Sequence, residues 1–400
     1  IPQRLPDGRR FFTQNFPALK FRSTAPFSNS TCFFISCVGH PLRKVKLSRR
    51  QNKRKRGVSS LYETRKTSTI RRSAGWLLAV VFALSLCWQQ ALASPAEEKT
   101  VIPLGKAVGI KLFADGVLVV GLTENSDCPA RQCGLREGDI ITAVSGRHIS
   151  STEQVQALLQ TSGGEPLALT VHRGQRTLSM TACPVQNSSG TWQLGAWIRD
   201  SMAGIGTLTY YDPSTGQYGA LGHGITDVDT AQLMPLSSGS IMETTVKAVK
   251  KGVKGDPGEL KGDFSVQRDV GTVTVNSDGG IFGTVADAGF LTGGTPVPVA
   301  SPSQVKTGRA TILATVHGDD TAEYTVDIVR VYGDGASTRN MLLHITDQRL
   351  LDATGGIVQG MSGSPILQNG RIVGAVTHVL LNDPTRGYGI FLENMLSMAG

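Results

Sequence analysis

The stretch Gly360-Met361-Ser362-Gly363-Ser364-Pro365 runs directly into the apolar pair Ile366-Leu367 and the turn Asn369-Gly370. A glycine two residues before Ser362 and another just after it permit positive φ values and close backbone approach, so this reads as a tight loop that presents a hydroxyl. The same texture extends outward in both directions. Short alternating apolar runs recur at 206–211, 271–275, 310–316 and 371–378, separated by the turn signals Asp212-Pro213, Asp256-Pro257-Gly258, Ser277-Asp278-Gly279-Gly280, Asp334-Gly335 and Asn382-Asp383-Pro384. Short strands broken in this way predict an all-β barrel or sandwich over residues 187–400. The 47 glycines and an aromatic content of only 6% agree with short strands and tight turns rather than long helices. No glycine fingerprint follows a strand and opens a helix, which excludes a nucleotide-binding Rossmann or P-loop domain.

Charge is distributed very unevenly. Residues 1–72 hold eighteen of the 40 Lys and Arg against only Asp7 and Glu63, more than the whole net charge of +9, so the remainder is mildly acidic. The basicity belongs to a leader, residues 1–74, expected to be disordered or non-native, and a nucleic-acid-binding core is not expected. Residues 75–94 follow as a signal peptide or membrane anchor. Arg71-Arg72 flank an apolar run from Trp76 to Trp88, and Ala91-Leu92-Ala93 supplies small residues for a cut after Ala93. The run is short for a bilayer span, which needs about 20 apolar residues. In either case the rest of the chain is expected on the far side of a membrane. Beyond that run only Cys128, Cys133 and Cys183 remain, with no zinc-type spacing, and they read as free thiols.

Residues 104–184 form a second, smaller unit. Two apolar strands around Asp115-Gly116 precede Gly134-Leu135-x-x-Gly138-Asp139-x-Ile141 and Gly146, then a helix from Ser151 or Thr152 to about Gln160 with Val155, Leu158 and Leu159 on one face. This unit resembles a PDZ domain of the bacterial protease-associated type. The resemblance implies a groove for an extended peptide ligand, with Val108, Gly109, Ile110 and Lys111 as the peptide-binding loop.

Acyl transfer from a peptide needs an activated hydroxyl, a base within reach of it and backbone donors for the oxyanion. Ser362 is the candidate nucleophile. Among the seven histidines, His223 in Gly222-His223-Gly224 is the preferred base, and His378 is the second choice. Asp227, Asp229, Asp278, Asp347 and Asp352 are candidates to orient the imidazole; Asp347 is preferred because it ends an apolar strand just before the serine loop. No His-Glu-x-x-His pair is present for a metallopeptidase, and the proline after Ser362 disfavours the strand–serine–helix elbow of an esterase.

Gly222-His223-Gly224, Ile345-Thr346-Asp347 and the 360–365 loop, with Thr354–Gln359 and Gly374–Val379 around it, resemble the peptidase domain of the stage IV sporulation protein B family. These are PDZ-containing sporulation serine endopeptidases. The resemblance implies a mainly β chain with an N-terminal signal or anchor, a PDZ domain and a chymotrypsin-like double β-barrel. It implies His223, Asp347 and Ser362 as catalytic residues, an oxyanion hole from the backbone amides of Gly360 and Ser362, and neither cofactor nor metal. It further implies a location between mother-cell and forespore membranes, a protein substrate that regulates a membrane-embedded protease, and self-cleavage, expected here within Ala91–Thr100. The rival expectation is a non-catalytic PDZ-bearing adaptor.

Overall fold

The computed structural model describes residues 98–399, except 126, 292–293 and 334–337. The leader and the signal or anchor segment therefore lie outside the described residues. The chain enters through β1 (Thr100–Pro103) and the long β2 (Ala107–Leu122). It then builds β3 (Ile140–Val144), β4 (Arg147–His148), β5 (Leu167–Arg173), β6 (Arg176–Ala182) and the small hairpin β7 (Val185–Gln186) and β8 (Trp192–Gln193). Two helices belong to this part, α1 (Pro129–Gln132) and α2 (Thr152–Ser162). The 17-residue β9 (Ala196–Asp212) leads back, followed by β10 (Gln217–Ala220), β11 (Ser238–Lys250), β12 (Glu259–Ser277), β13 (Gly280–Val285) and β14 (Val297–Pro298).

Pairing of β2 with β9 closes the cycle β2, β9, β10, β13, β12, β11 into a six-stranded barrel. Its interior is filled by Val108, Ile110, Leu112, Leu208, Tyr218, Ile241 and Ile281, which are the alternate, inward-facing residues of their strands. The remaining strands are β15 (Gly308–His317), β16 (Asp320–Val331), β17 (Met341–Ile345), β18 (Pro365–Gln368), β19 (Arg371–Leu380) and β20 (Asp383–Phe391), with α3 (Gln348–Thr354) and α4 (Leu392–Ser397). They form a second closed barrel in the order β15, β16, β17, β20, β19, β18. Tyr210 and Phe282 of the first barrel pack against Ile372, Ala375 and Ile390 of the second, joining the two.

The PDZ unit differs from expectation in where it begins. It is an insertion at the tip of the β2–β9 hairpin rather than a separate module starting at 104. Val117 and Val119 of β2 and Ile198 of β9 enter its core beside Ile141, Leu169 and Val171. Thr100–Pro103, ahead of the unit expected to begin at 104, is strand β1, paired with β9 and β14. In the PDZ signature, Gly134 and Gly138 adopt φ of +88° and +85°, and buried Asp139 accepts two bonds from Arg173, each 2.7 Å. The N-cap of α2 is Ser151, whose side chain accepts from the Gln154 amide. Cys128, Cys133 and Cys183 are free thiols.

Candidate functional site

A cavity of about 310 Å³ opens where the barrels meet, and Ser362, Gly360, His223, Thr377 and His378 line it. Each polar group arrives there by a definite local device. Gly360 and Gly363 both hold positive φ, +99° and +98°, and at Gly363 a Cβ would come within 2.0 Å of the Thr207 carbonyl. Glycine is therefore required on this side of Ser362. Thr207 of β9 straps the loop from the other barrel: its hydroxyl donates to the Gly360 carbonyl at 2.7 Å and its amide to the Ser362 carbonyl at 3.1 Å. The amides of Met361, Gly363 and Ser364 donate inward to Val358, Val376 and Met361. Those of Gly360 and Ser362 make no hydrogen bond among the described residues, leaving two donors available beside the hydroxyl.

His223 follows β10 on a turn in which Leu221 and Gly222 take positive φ. Its Nδ1 lies 2.9 Å from the Gly224 carbonyl. A carbonyl can only accept, so Nδ1 carries the proton and Nε2 keeps its lone pair, the tautomer a general base needs. Burial holds the His223 imidazole below its ordinary pKa, opposed by the bond to Gly224. The Ser362 hydroxyl donates to the Thr377 carbonyl at 2.8 Å. That is a resting position one side-chain rotation from the cavity.

The second histidine is closer to the first than the sequence alone indicates. The His378 ring stands 5.1 Å from the His223 ring, and its buried Nδ1 has no partner among the described residues. Burial first, then the neighbouring His223 and Arg339, push its pKa down to about 4.

Asp347 requires a correction. It is the N-cap of α3, buried, and does not line the cavity. One carboxylate oxygen accepts from the Arg349 amide and Nε, both at 3.0 Å, and the other from Arg349 and the Thr325 amide at 2.8 and 3.2 Å. Arg349 holds its pKa down to about 2. Engaged by its own helix and by Thr325 of β16, it orients no imidazole here; the Gly224 carbonyl does that. Asp227, four residues after His223, is a structural residue as well: its carboxylate accepts from the Asp229 and Thr230 amides and pairs with Arg199.

The expected peptide-binding loop also moves. Val108, Gly109, Ile110 and Lys111 are a barrel strand with both edges occupied, by β11 on one side and β9 on the other. A peptide has no edge to join there. In the PDZ unit the strand beside α2 is instead the start of β9, where the Asp200 carboxylate accepts from the Thr152 amide at 2.8 Å.

Residues 190–396 match the family model described as SpoIVB peptidase S55, and residues 123–173 match a PDZ domain. A putative zinc metalloprotease of Clostridium perfringens is 32% identical over 77 residues, 19% of this chain and 22% of that protein. The putative serine protease HhoB of Synechocystis is 41% identical over 70 residues, 17% of this chain and 16% of its own. The chain thus matches about a fifth of the length of these curated relatives. Among solved structures, the Rv3671c protease of M. tuberculosis in its active form aligns over 50% of this chain and 73% of its own, with 16% identity and a TM-score of 0.28. The PDZ domain of an SdrC-like protein of Listeria monocytogenes aligns over 21% of this chain and 87% of its own, with 22% identity and a TM-score of 0.20.

Proposed function

The chain belongs to the SpoIVB peptidase S55 family, a family of serine endopeptidases, and from that premise we propose that it hydrolyses peptide bonds in a protein substrate with Ser362 as nucleophile. His223 takes the hydroxyl proton through Nε2 once Ser362 turns from the Thr377 carbonyl. The carbonyl carbon of the substrate is attacked, its oxygen becomes an oxyanion between the Gly360 and Ser362 amides, and His223 returns the proton to the leaving amine. Water then repeats the sequence on the acyl-enzyme. The observation that carries this reading is the pairing, in one cavity, of a strapped serine loop with two unbonded amides and a histidine whose tautomer is fixed by the Gly224 carbonyl.

The biological setting we infer from the family is extracytoplasmic, between two membranes during sporulation. The substrate there is a membrane-bound regulator of an intramembrane protease, and the chain also cuts itself within Ala91–Thr100. The test is labelling with a fluorophosphonate: the wild-type chain takes the label, and Ser362→Ala takes none and leaves the 91–100 segment uncut. A Ser362→Ala chain processed as fast as wild type removes self-cleavage, and a wild-type chain that never labels supports the adaptor reading instead.

A further inference from the structure

The cavity around Ser362 has two apolar walls, one from each barrel, and the backbone of each is pinned. No Asp, Glu, Lys or Arg lines it among the described residues; Arg339, the cation that acts on His378, lies outside it. The wall on the side of the serine loop consists of Pro257, Ile357, Val358, Val379 and Leu381. The Ile357 amide donates to the Pro384 carbonyl at 2.8 Å, and the Gly255 amide donates to the Leu381 carbonyl at 2.7 Å. Gln359 is held from both sides, its amide donating to Gly258 at 3.2 Å and its carbonyl accepting from Leu260 at 2.8 Å. Ile357 and Val358 are buried and Leu381 is 40% exposed, so the first two form the base of this wall and Leu381 its rim.

The opposite wall belongs to the barrel that carries His223. Met202 and Ile205 of β9 line it, paired with Leu112 and Gly109 of β2, and Ile225 stands beside them. The Asn276 side chain brackets Ile225, accepting from its amide at 2.8 Å and donating to its carbonyl at 3.0 Å. The chemistry decides which part of a substrate meets which wall. The carbonyl oxygen under attack lies between the Gly360 and Ser362 amides, so the residue on the acyl side of the scissile bond sets its side chain against the segments that flank this loop. His223 returns the proton to the leaving nitrogen, so the residue on the amine side lies against Met202, Ile205 and Ile225. A charged side chain would lose its hydration against either wall and find no counter-charge there.

We propose that the enzyme cuts inside apolar runs, requiring an uncharged, apolar side chain on both sides of the scissile bond. Leu381 at the rim of one wall governs the choice on the acyl side, and Met202 of the other wall governs it on the amine side. This rests on the hydrolase reading above and adds its substrate class: extended apolar segments free of any fold. Within Ala91–Thr100 only the two bonds beside Leu92 join aliphatic residues, so the self-cleavage proposed there falls at Leu92.

The test uses the full chain and a library of short unstructured peptides, with cuts mapped by mass spectrometry. Wild type is expected to cut between two apolar residues, and Lys, Arg, Asp or Glu on either side of the bond should lower kcat/KM by at least about a hundredfold. Leu381→Glu should admit Lys and Arg on the acyl side alone, and Met202→Glu on the amine side alone, with fluorophosphonate labelling as the check that each variant is folded. A wild-type profile that accepts charge on either side overturns the proposal without need of a variant. Labelled variants whose preference is unchanged, or changes on the opposite side, overturn the assignment of the two walls. A wild-type chain that labels but cuts no apolar pair also overturns the proposal, whereas one that neither labels nor cuts overturns the hydrolase reading itself.

Discussion

The hydroxyl of Thr207 donates to the carbonyl of Gly360 at 2.7 Å, so the first barrel holds the nucleophile loop of the second by a bond between residues far apart in sequence. Thr207 is 1% exposed, so its side of this bond is shielded from solvent. This bond holds the Gly360–Met361 peptide plane, which lies between the two unbonded amides of Gly360 and Ser362.

Thr207→Val keeps the shape and removes the donor. Losing a hydrogen bond of this kind costs about 0.5–1.5 kcal/mol, and here that cost falls on loop geometry as well as on stability. The expected outcome is a fall in kcat of tenfold or more with KM little changed, and a modest drop in Tm. An unchanged kcat with a lowered Tm would make Thr207 a purely structural strap.

The two facing imidazoles give the protein an acid-sensitive stability. Burial lowers the pKa of His223, and burial together with His223 lowers that of His378 to about 4, against an ordinary value of 6.5. Between pH 6.5 and about 4 the unfolded chain binds protons that the folded chain refuses, so stability rises with pH through this window and is level above it. Tm should fall as pH drops from 6.5 to 4.5. His378→Gln should flatten that fall, while His223 stays neutral enough to keep kcat/KM from declining until below pH 6.5. A Tm profile identical in His378→Gln and wild type would show that His378 is not the source.

Asp347 acts through its helix. Asp347→Ser keeps an N-cap and loses the Arg349 fork, so a Tm lower by a few degrees is expected with fluorophosphonate labelling of Ser362 intact. A residue that orients the imidazole would instead cost about 10⁴ in kcat. Calorimetry beside labelling kinetics separates the two.

These residues also show what the sequence made legible. Ser362 and His223 stand out because glycines flank them, and glycine is needed where the backbones of two barrels come together. Asp347 was misleading because an acidic residue ending a strand before a helix looks the same as an N-cap and as a triad member; only its partners distinguish them. Val108–Lys111 alternate as any strand does, and alternation does not say which sheet a strand joins. The PDZ unit is inserted within a hairpin, so its first core strand and the barrel strand are one run of residues. The nearness of His378 to His223 depends on a register shift between Val376 and His378, a bulge that re-aims the side chain against simple alternation. Thr207 carried no signal at all, since its partner is 153 residues away.

Arg199 gives a last prediction, because it ties β9 to the loop that follows His223. Its guanidinium pairs with Asp227, whose side chain is fully buried, and with Asp229 at 3.0 Å. Asp227 in turn orders the loop through the Asp229 and Thr230 amides, and Gln232 of the same loop packs against Gly138 of the PDZ unit. Removing the cation leaves a buried carboxylate uncompensated, a change that costs about 3–5 kcal/mol in comparable sites. Arg199→Met should therefore lower both Tm and kcat, whereas Arg199→Met with Asp227→Asn should recover part of each, because the neutral amide needs no counter-charge. Urea melts and labelling rates of the two single variants and the double variant form the cycle. Strict additivity would mean that Arg199 and Asp227 act independently, and that β9 does not hold the histidine loop.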